Sequence, residues 1–194
     1  MIKETMQDDL AFIKGIIAES RKNRSASGIH LIVWGFLIPI GLIIDWFMIV
    51  KGLQGIKELY LWGLIIGSGW LFEMIYGWKV DRKKPVRTYA EKVDGFLWLS
   101  IGITLTILGF VGSSSGAIHA QFISPVFSTI LAIGYFSSGF VYEVKWIRNL
   151  AFGWWGGAII MFIFPGHYHL LLMAGMMIAF QTIPGFIIQK TWAD

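Results

Sequence analysis

The chain has 194 residues, of which 56% are hydrophobic and only 14% are charged, and its formal net charge is +4. Soluble domains carry roughly a quarter charged residues, so this composition excludes an ordinary soluble protein and is typical of an integral membrane protein. The absence of cysteine excludes disulfides, thiolate nucleophiles and Cys-ligated metal sites.

The first predicted element is an amphipathic helix over residues 2–20. Its apolar residues recur at a spacing of three or four, namely Ile2, Met6, Leu10, Ile13 and Ile17. Charge interrupts this segment too often for it to span a bilayer, and the basic run Arg21-Lys22-Asn23-Arg24 follows it. We therefore expect residues 1–27 to form an interfacial helix and basic linker against lipid headgroups, or a helix packed under the protein's own loops.

Six apolar runs follow, each near the length that the hydrocarbon core of a bilayer requires. They cover approximately residues 28–50, 59–79, 95–113, 121–142, 146–165 and 167–188. The predicted fold is an all-α integral membrane protein in which residues 28–194 form a domain of six transmembrane helices.

The basic residues predict the orientation of these helices. Of the 16 Lys and Arg residues, a six-span topology places all but Lys51 and Lys57 on the side of the two chain ends. Cytoplasmic loops of membrane proteins are enriched in Lys and Arg. The pattern predicts a multi-pass protein of the bacterial cytoplasmic membrane with both termini in the cytoplasm.

The even-numbered spans share a glycine near their ends with a lysine following it, which predicts three repeated hairpins. The glycines are Gly77, Gly139 and Gly185, and the lysines are Lys79, Lys145 and Lys190.

The last of these hairpins, Gly153 to Gly185, contains the pair Gly156-Gly157 and the turn Phe164-Pro165-Gly166. In these residues the chain resembles the HdeD family of small bacterial six-helix membrane proteins associated with acid resistance. The resemblance implies a stress-response or accessory role, and it supplies no catalytic residues.

Two pairs of glycines have the four-residue spacing that lets helix backbones approach closely: Gly63 with Gly67, and Gly153 with Gly157. We expect them to pack helices within the chain, or alternatively to form the face of a homo-oligomer.

Glu73 is the main candidate for a functional side chain. It lies six residues before Lys79, about 9 Å inside the predicted cytoplasmic boundary at 1.5 Å per residue. Alignment of the three hairpins brings Tyr135 and Gln181 to the same level, and His30 lies near that depth. Because an acid inside hydrocarbon is costly, the cluster indicates a ligand or proton site, or a carboxyl that ties helices together through His30.

The predicted outer end carries His119, His167 and His169, with Asp45 at a similar height. Imidazoles and a carboxylate suit zinc, copper or nickel, but the spacing matches no recognised site, so no metal is predicted and these four residues are only weak candidates. Asp45 is interpreted as a solvated acid at a helix end.

The run from Gly112 to Gly116 has the letters of the G-x-S-x-G nucleophile motif, with Ser114 at its centre. That motif works on a strand-turn-helix bend, whereas these residues end a membrane helix. They indicate a flexible loop. The alternative is a membrane-embedded hydrolase in which His167 or His169 activates Ser114, or a metal-dependent enzyme.

The leading functional hypothesis is a non-enzymatic membrane protein: a stress-response or accessory protein, or a conduit for a small solute or protons with a polar cluster around Glu73. No cofactor is predicted. Membrane lipids are the predicted partners, and the basic loops are explained by topology and lipid headgroups, so nucleic-acid binding is not predicted.

The topology can be tested with reporter fusions. A fusion after Asp194 should report the cytoplasm and a fusion after Ser115 the outside, because the basic residues lie almost entirely on one side. A cytoplasmic signal from the Ser115 fusion contradicts the six-span topology.

Overall fold

The fold consists of helices, as seen in a computed structural model that describes residues 25–53, 55–81 and 88–193, where no strand occurs. Six helices occur in this part of the chain: α1 (Ser25–Val50), α2 (Ile56–Asp81), α3 (Tyr89–Ile107, extended by the π-helical turn Leu108–Gly112), α4 (Ala120–Val141), α5 (Lys145–Ile163) and α6 (Tyr168–Met177, the π-helical turn Ile178–Thr182, and Ile183–Ala193). The predicted all-helical class is confirmed for these residues. The predicted interfacial helix over residues 2–20 lies outside them.

Five of these helices are long and apolar enough to cross a membrane. The candidate spans are Gly28–Val50, Lys57–Lys79, Tyr89–Gly112, Ala120–Val141 and Tyr168–Thr191. Helix α5 has 19 residues and is not among them, because its first turns contain Lys145, Arg148 and Asn149. Length and composition therefore support five of the six predicted spans.

Helix α3 begins six residues before the predicted span because Thr88 and Glu91 form a capping box. The Thr88 hydroxyl accepts a hydrogen bond from the Glu91 backbone N–H at 3.2 Å, and the Glu91 carboxylate accepts one from the Thr88 N–H at 3.0 Å. Both bonds satisfy backbone donors at a helix start. As a result Asp94 lies inside the helix and not in a loop.

The closest helix packing occurs between α4 and α5. The Cβ of an alanine at Gly139 would lie 2.5 Å from the Arg148 backbone. The Ser128 hydroxyl donates to the Trp154 carbonyl at 2.6 Å, and the Tyr135 ring stacks on that of Trp154 with centroids 6.0 Å apart. This antiparallel pair forms the centre of the buried core.

Helix α1 packs antiparallel against α6 at two glycines. A Cβ at Gly28 would lie 2.9 Å from the Gly185 carbonyl oxygen. The hydroxyl of Thr182, in the π-helical turn, donates to the Gly35 carbonyl at 2.7 Å. Helices α1, α4, α5 and α6 therefore form a continuous packed unit.

Helices α2 and α3 are peripheral to this unit. Extensive packing joins α2 only to α1, and α3 chiefly to α4. Between α2 and α3 the Trp70 indole N–H donates to the Thr106 hydroxyl at 3.3 Å, and the Trp70 ring lies close to Gly102. The space between these helices and the packed unit holds the candidate site.

The two glycine pairs differ in their packing. Side chains added at Gly153 and Gly157 would meet Phe180 and Met176 of α6, so this pair packs helices within the chain. A Cβ at Gly63 or Gly67 would meet no described atom within 4 Å. An oligomer contact at Gly63 and Gly67 remains a prediction.

The three glycines that define the predicted repeat also differ. Gly139 and Gly185 lie where helix backbones approach closely, whereas a Cβ at Gly77 would meet no described atom within 4 Å. The hairpin repeat therefore remains a prediction from the sequence.

Substitution of Gly139 by alanine should destabilise the fold. The new Cβ would overlap the Arg148 backbone, which cannot move aside as a flexible side chain can. We expect the free energy of unfolding to fall by about 1–3 kcal/mol. Gly156→Ala is the matched control, since its Cβ meets nothing within 4 Å. Unfolding in detergent, followed by circular dichroism, measures both; equal effects would contradict the packing described here.

Candidate functional site

The candidate site is a cavity of about 1180 Å³ lined mainly by α1, α2, α3, α4 and α6, with Ile147 and Leu150 of α5. Its lining is mostly apolar and extends from His30 and Glu73 near one end of the bundle to Asp45 and His169 near the other. On α1 alone, His30 and Asp45 are fifteen residues apart, which corresponds to about 22 Å along a helix. The cavity therefore follows most of the helix length.

Glu73 of α2 is hydrogen-bonded to two side chains of α1. Nδ1 of His30 lies 2.6 Å from one carboxylate oxygen, and the indole N–H of Trp34 donates to the other at 2.9 Å. The His30 ring also packs edge-on against Tyr76, with centroids 5.1 Å apart. The structure thus places the predicted residues His30 and Glu73 together, and the carboxyl ties α1 to α2.

Tyr135 and Gln181 line the same cavity but are not hydrogen-bonded to Glu73. Both are deeply buried, at 1% and 4% exposure. Tyr135 lies between the rings of Trp98 and Trp154. The Tyr135 hydroxyl and the Gln181 side-chain oxygen have no hydrogen-bond partner among the described residues. The predicted polar cluster therefore surrounds the cavity without forming one network.

Asp94 of α3 is a buried acid that the sequence analysis did not select. One carboxylate oxygen accepts from the Ser138 hydroxyl at 2.5 Å and the other from the Tyr142 hydroxyl at 3.3 Å. The Trp98 indole N–H donates to Ser138 at 3.0 Å, which completes a chain of donors. The signal that could have found Asp94 is the capping sequence from Thr88 to Glu91, because it starts the helix before Asp94.

Asp45 was expected to be solvated, and the structure corrects this. Its side chain is only 5% exposed, and the Trp62 indole N–H donates to one carboxylate oxygen at 3.1 Å. The other oxygen has no partner among the described residues. Because α1 continues to Val50 with α2 packed beside it, Asp45 lies on the face toward α2 and away from water.

The two buried acids Asp45 and Asp94 and the half-buried Glu73 are each associated with a tryptophan, and we call these associations the acid–tryptophan pairs. Glu73 accepts directly from Trp34 and Asp45 from Trp62, whereas Asp94 is reached from Trp98 through Ser138. All these acids and tryptophans line the cavity. Since the indole N–H groups donate hydrogen bonds to side chains of the protein, the surface that the tryptophans present to the cavity is mainly their apolar rings.

The histidines at the predicted outer end do not form a metal site in the described part of the chain. There, no group of three or more His, Asp or Glu side chains is arranged to hold a metal ion. His119 and His167 are exposed at the starts of α4 and α6. His169 is buried, with Nδ1 3.1 Å from the Gln121 carbonyl and Nε2 2.5 Å from the Phe164 carbonyl. Asp45 contacts Trp62 instead of these imidazoles.

The residues of the alternative enzyme hypothesis are also not brought together by any described hydrogen bond. The Ser114 hydroxyl is exposed and lies 3.5 Å from the Val111 carbonyl of its own helix. Both ring nitrogens of His169 face backbone carbonyls. A nucleophile and its base need a mutual hydrogen bond, and the described contacts contain none between these residues.

Comparison of the chain with protein-family models, with curated proteins and with solved structures gives no match. The resemblance to the HdeD family is therefore neither supported nor contradicted.

A double-mutant cycle tests the tie between Trp34 and Glu73. Trp34→Phe keeps an aromatic ring but removes the N–H that the carboxylate accepts, so its effect should depend on Glu73. When Trp34→Phe is combined with Glu73→Leu, we expect a coupling energy of about 1.5–3 kcal/mol between the two substitutions in detergent unfolding.

Trp155→Phe provides the control cycle with Glu73→Leu. Trp155 packs against Phe136 and Phe152, so its effect should add to that of Glu73→Leu within about 0.5 kcal/mol. If the Trp34 cycle is equally additive, the bond does not hold α1 to α2.

Proposed function

We propose that this chain is a non-enzymatic, multi-pass protein of the bacterial cytoplasmic membrane that binds a small solute in the cavity between its helices. In this proposal both termini lie in the cytoplasm, and the Glu73 carboxyl is the polar anchor at the cytoplasmic end of the cavity. An accessory role in acid stress, which the resemblance to the HdeD family implies, is compatible with it.

The observation that carries the proposal is the cavity that reaches Glu73. Its volume of about 1180 Å³ slightly exceeds that of typical small-molecule sites, which are mostly apolar clefts of roughly 300–1,000 Å³ with a few polar groups. The acid–tryptophan pairs provide those polar groups. A protein that used Glu73 only as a tie between helices would not need a space of this size beside it.

The cavity extends along most of the helix length, which favours a conduit for solutes and not a closed pocket. Its lining includes His30 and Tyr142 near the predicted cytoplasmic end and His119 and His167 near the opposite end. Polar side chains within membrane helices are commonly found along the paths of solutes and ions. Solute movement is the interpretation that we propose to test first.

Access to the cavity can be measured by cysteine labelling, because the natural chain contains no cysteine. Ile38 lies in the middle of α1 and lines the cavity, whereas Ile40 is 50% exposed on the same helix and is not part of the lining. In lipid vesicles, Ile38→Cys should react with neutral methyl methanethiosulfonate at least about tenfold faster than Ile40→Cys, because the reacting thiolate forms only where water reaches it.

The comparison controls for depth and residue type, since both substitutions replace isoleucine within one turn of α1. Circular dichroism of both variants checks that they fold. Equal labelling rates would mean that no solute-accessible space reaches the middle of the bundle, and the proposed function would then be wrong.

A further inference from the structure

The charge of the cavity lining is strongly one-sided. Among the described residues, the lining contains no Lys or Arg, and its carboxyl groups belong to Asp45, Glu58, Glu73, Glu91 and Asp94. Its other titratable side chains that can carry positive charge are His30, His119, His167 and His169. An anionic solute would meet repulsion in such a cavity, whereas a cation would be attracted.

The buried acids are hydrogen-bonded mainly to neutral groups. Asp94 accepts from the hydroxyls of Ser138 and Tyr142, and Asp45 accepts from the Trp62 indole. These donors satisfy oxygen atoms but do not balance negative charge. In the described part of the chain, His30 beside Glu73 is the one side chain able to carry positive charge that contacts Asp45, Glu73 or Asp94.

One carboxylate oxygen of Asp45 has no hydrogen-bond donor among the residues that the structure describes. Its side chain is 95% buried, being 5% exposed, and Oδ1 has no partner among the described residues. A buried acceptor without a donor costs about 1–3 kcal/mol. Asp45 lines the cavity, but Oδ1 has less than 1 Å² of accessible surface, so a bound molecule can supply the missing donor only where the side chains around Asp45 move aside.

The rest of the wall suits the apolar part of such a molecule. Trp34, Trp62, Trp70 and Trp98 line the cavity, and each donates its indole N–H to a side chain of the protein. Their rings are therefore oriented by these bonds. Tryptophan rings attract organic cations through the negative face of the π-system, by about 0.5–2 kcal/mol each.

The arrangement of α2 and α3 favours a molecule that partitions into the bilayer. These two helices lack extensive mutual packing, and the Trp70 side chain bridges them by its hydrogen bond to Thr106. Trp70 and Thr106 both line the cavity, so the gap between α2 and α3 is the side of the cavity from which a hydrophobic molecule could enter.

We infer that the cavity binds a hydrophobic organic cation, such as an amine or a quaternary ammonium or phosphonium ion, between the acid–tryptophan pairs. The inference rests on the proposed function, because it names the class of solute for the same cavity. The cationic group lies beside Glu73 and Asp94, and the hydrocarbon groups lie against the tryptophan rings.

The test uses two ions of similar size and shape but opposite charge as competitors of the labelling reaction at Ile38→Cys. Tetraphenylphosphonium should slow the reaction with the neutral methanethiosulfonate in a saturable way, whereas tetraphenylborate should leave the rate unchanged. Protection by both ions, or by tetraphenylborate alone, would overturn the inference of a cation site.

Substitutions of the acids identify the groups that attract the cation. Glu73→Gln and Asp94→Asn remove the charge with little change of shape, and each amide keeps one acceptor oxygen while its NH2 group replaces the other. We expect each to weaken protection by tetraphenylphosphonium by about tenfold, which is close to the effect of one modest ionic contact. Unchanged protection in the double variant would overturn the inference.

The labelling rate measured without a competing ion tests the proposed function separately from this inference. It also shows whether each variant is folded. If the protein with all its acids labels faster at Ile38→Cys than at Ile40→Cys but is protected equally by both ions, the cavity exists and only the cation class is wrong. If no variant shows faster labelling at Ile38→Cys, the proposed function itself fails. Asp45→Asn is an independent third variant, distant from the other two acids along the cavity.

Discussion

A carboxyl group inside an apolar helix bundle needs hydrogen-bond donors, and in this protein most of those donors are on a neighbouring helix. Glu73 of α2 accepts from Trp34 and contacts His30 of α1, and Asp45 of α1 accepts from Trp62 of α2. Two polar contacts, near opposite ends of the helices, therefore hold α1 and α2 together. In a bilayer, where the hydrophobic effect does not drive helices together, such contacts gain in importance.

The same interaction explains why a large cavity can exist beside these helices. Helix α4 is joined to α5 by a close contact at Gly139, and α1 is joined to α6 by a close contact at Gly28. Helix α3 is instead held to α4 partly by Asp94, which accepts from the Ser138 and Tyr142 hydroxyls. A hydrogen bond fixes a helix at one level without requiring side chains to fill all the space between neighbours. The peripheral helices can thus be anchored at a few points while the space behind them stays open.

Much of the fold follows from the sequence, because apolar runs and basic loops are strong signals. The faces of the helices are harder to predict. Counting residues from Lys79 predicts the depth of Glu73 along its helix. The same kind of count places Asp45 near a helix end, but it does not show which way the side chain faces, and Asp45 was therefore wrongly expected to be solvated. Gly63 with Gly67 and Gly153 with Gly157 have the same spacing, yet only the second pair packs inside the chain. Asp94 was missed because the apolar run, and not the capping box at Thr88, was used to set the start of α3.

The presence of carboxyl groups, where amides could form the same hydrogen bonds, distinguishes a role in binding from a role only in joining helices. An amide at position 73 accepts from Trp34 as well as a carboxyl does, and an amide at position 94 can pair with the two hydroxyls, which both donate and accept. A tie alone would therefore be formed without an acid among these apolar helices, and insertion scales assign an acid a cost of about 2.5–3.5 kcal/mol at the centre of a membrane-spanning helix. Carboxyl groups occupy all three acid–tryptophan pairs. Since hydrogen bonding explains the donors but not the choice of acids over amides, the carboxyl groups are the feature that the proposed cationic solute accounts for.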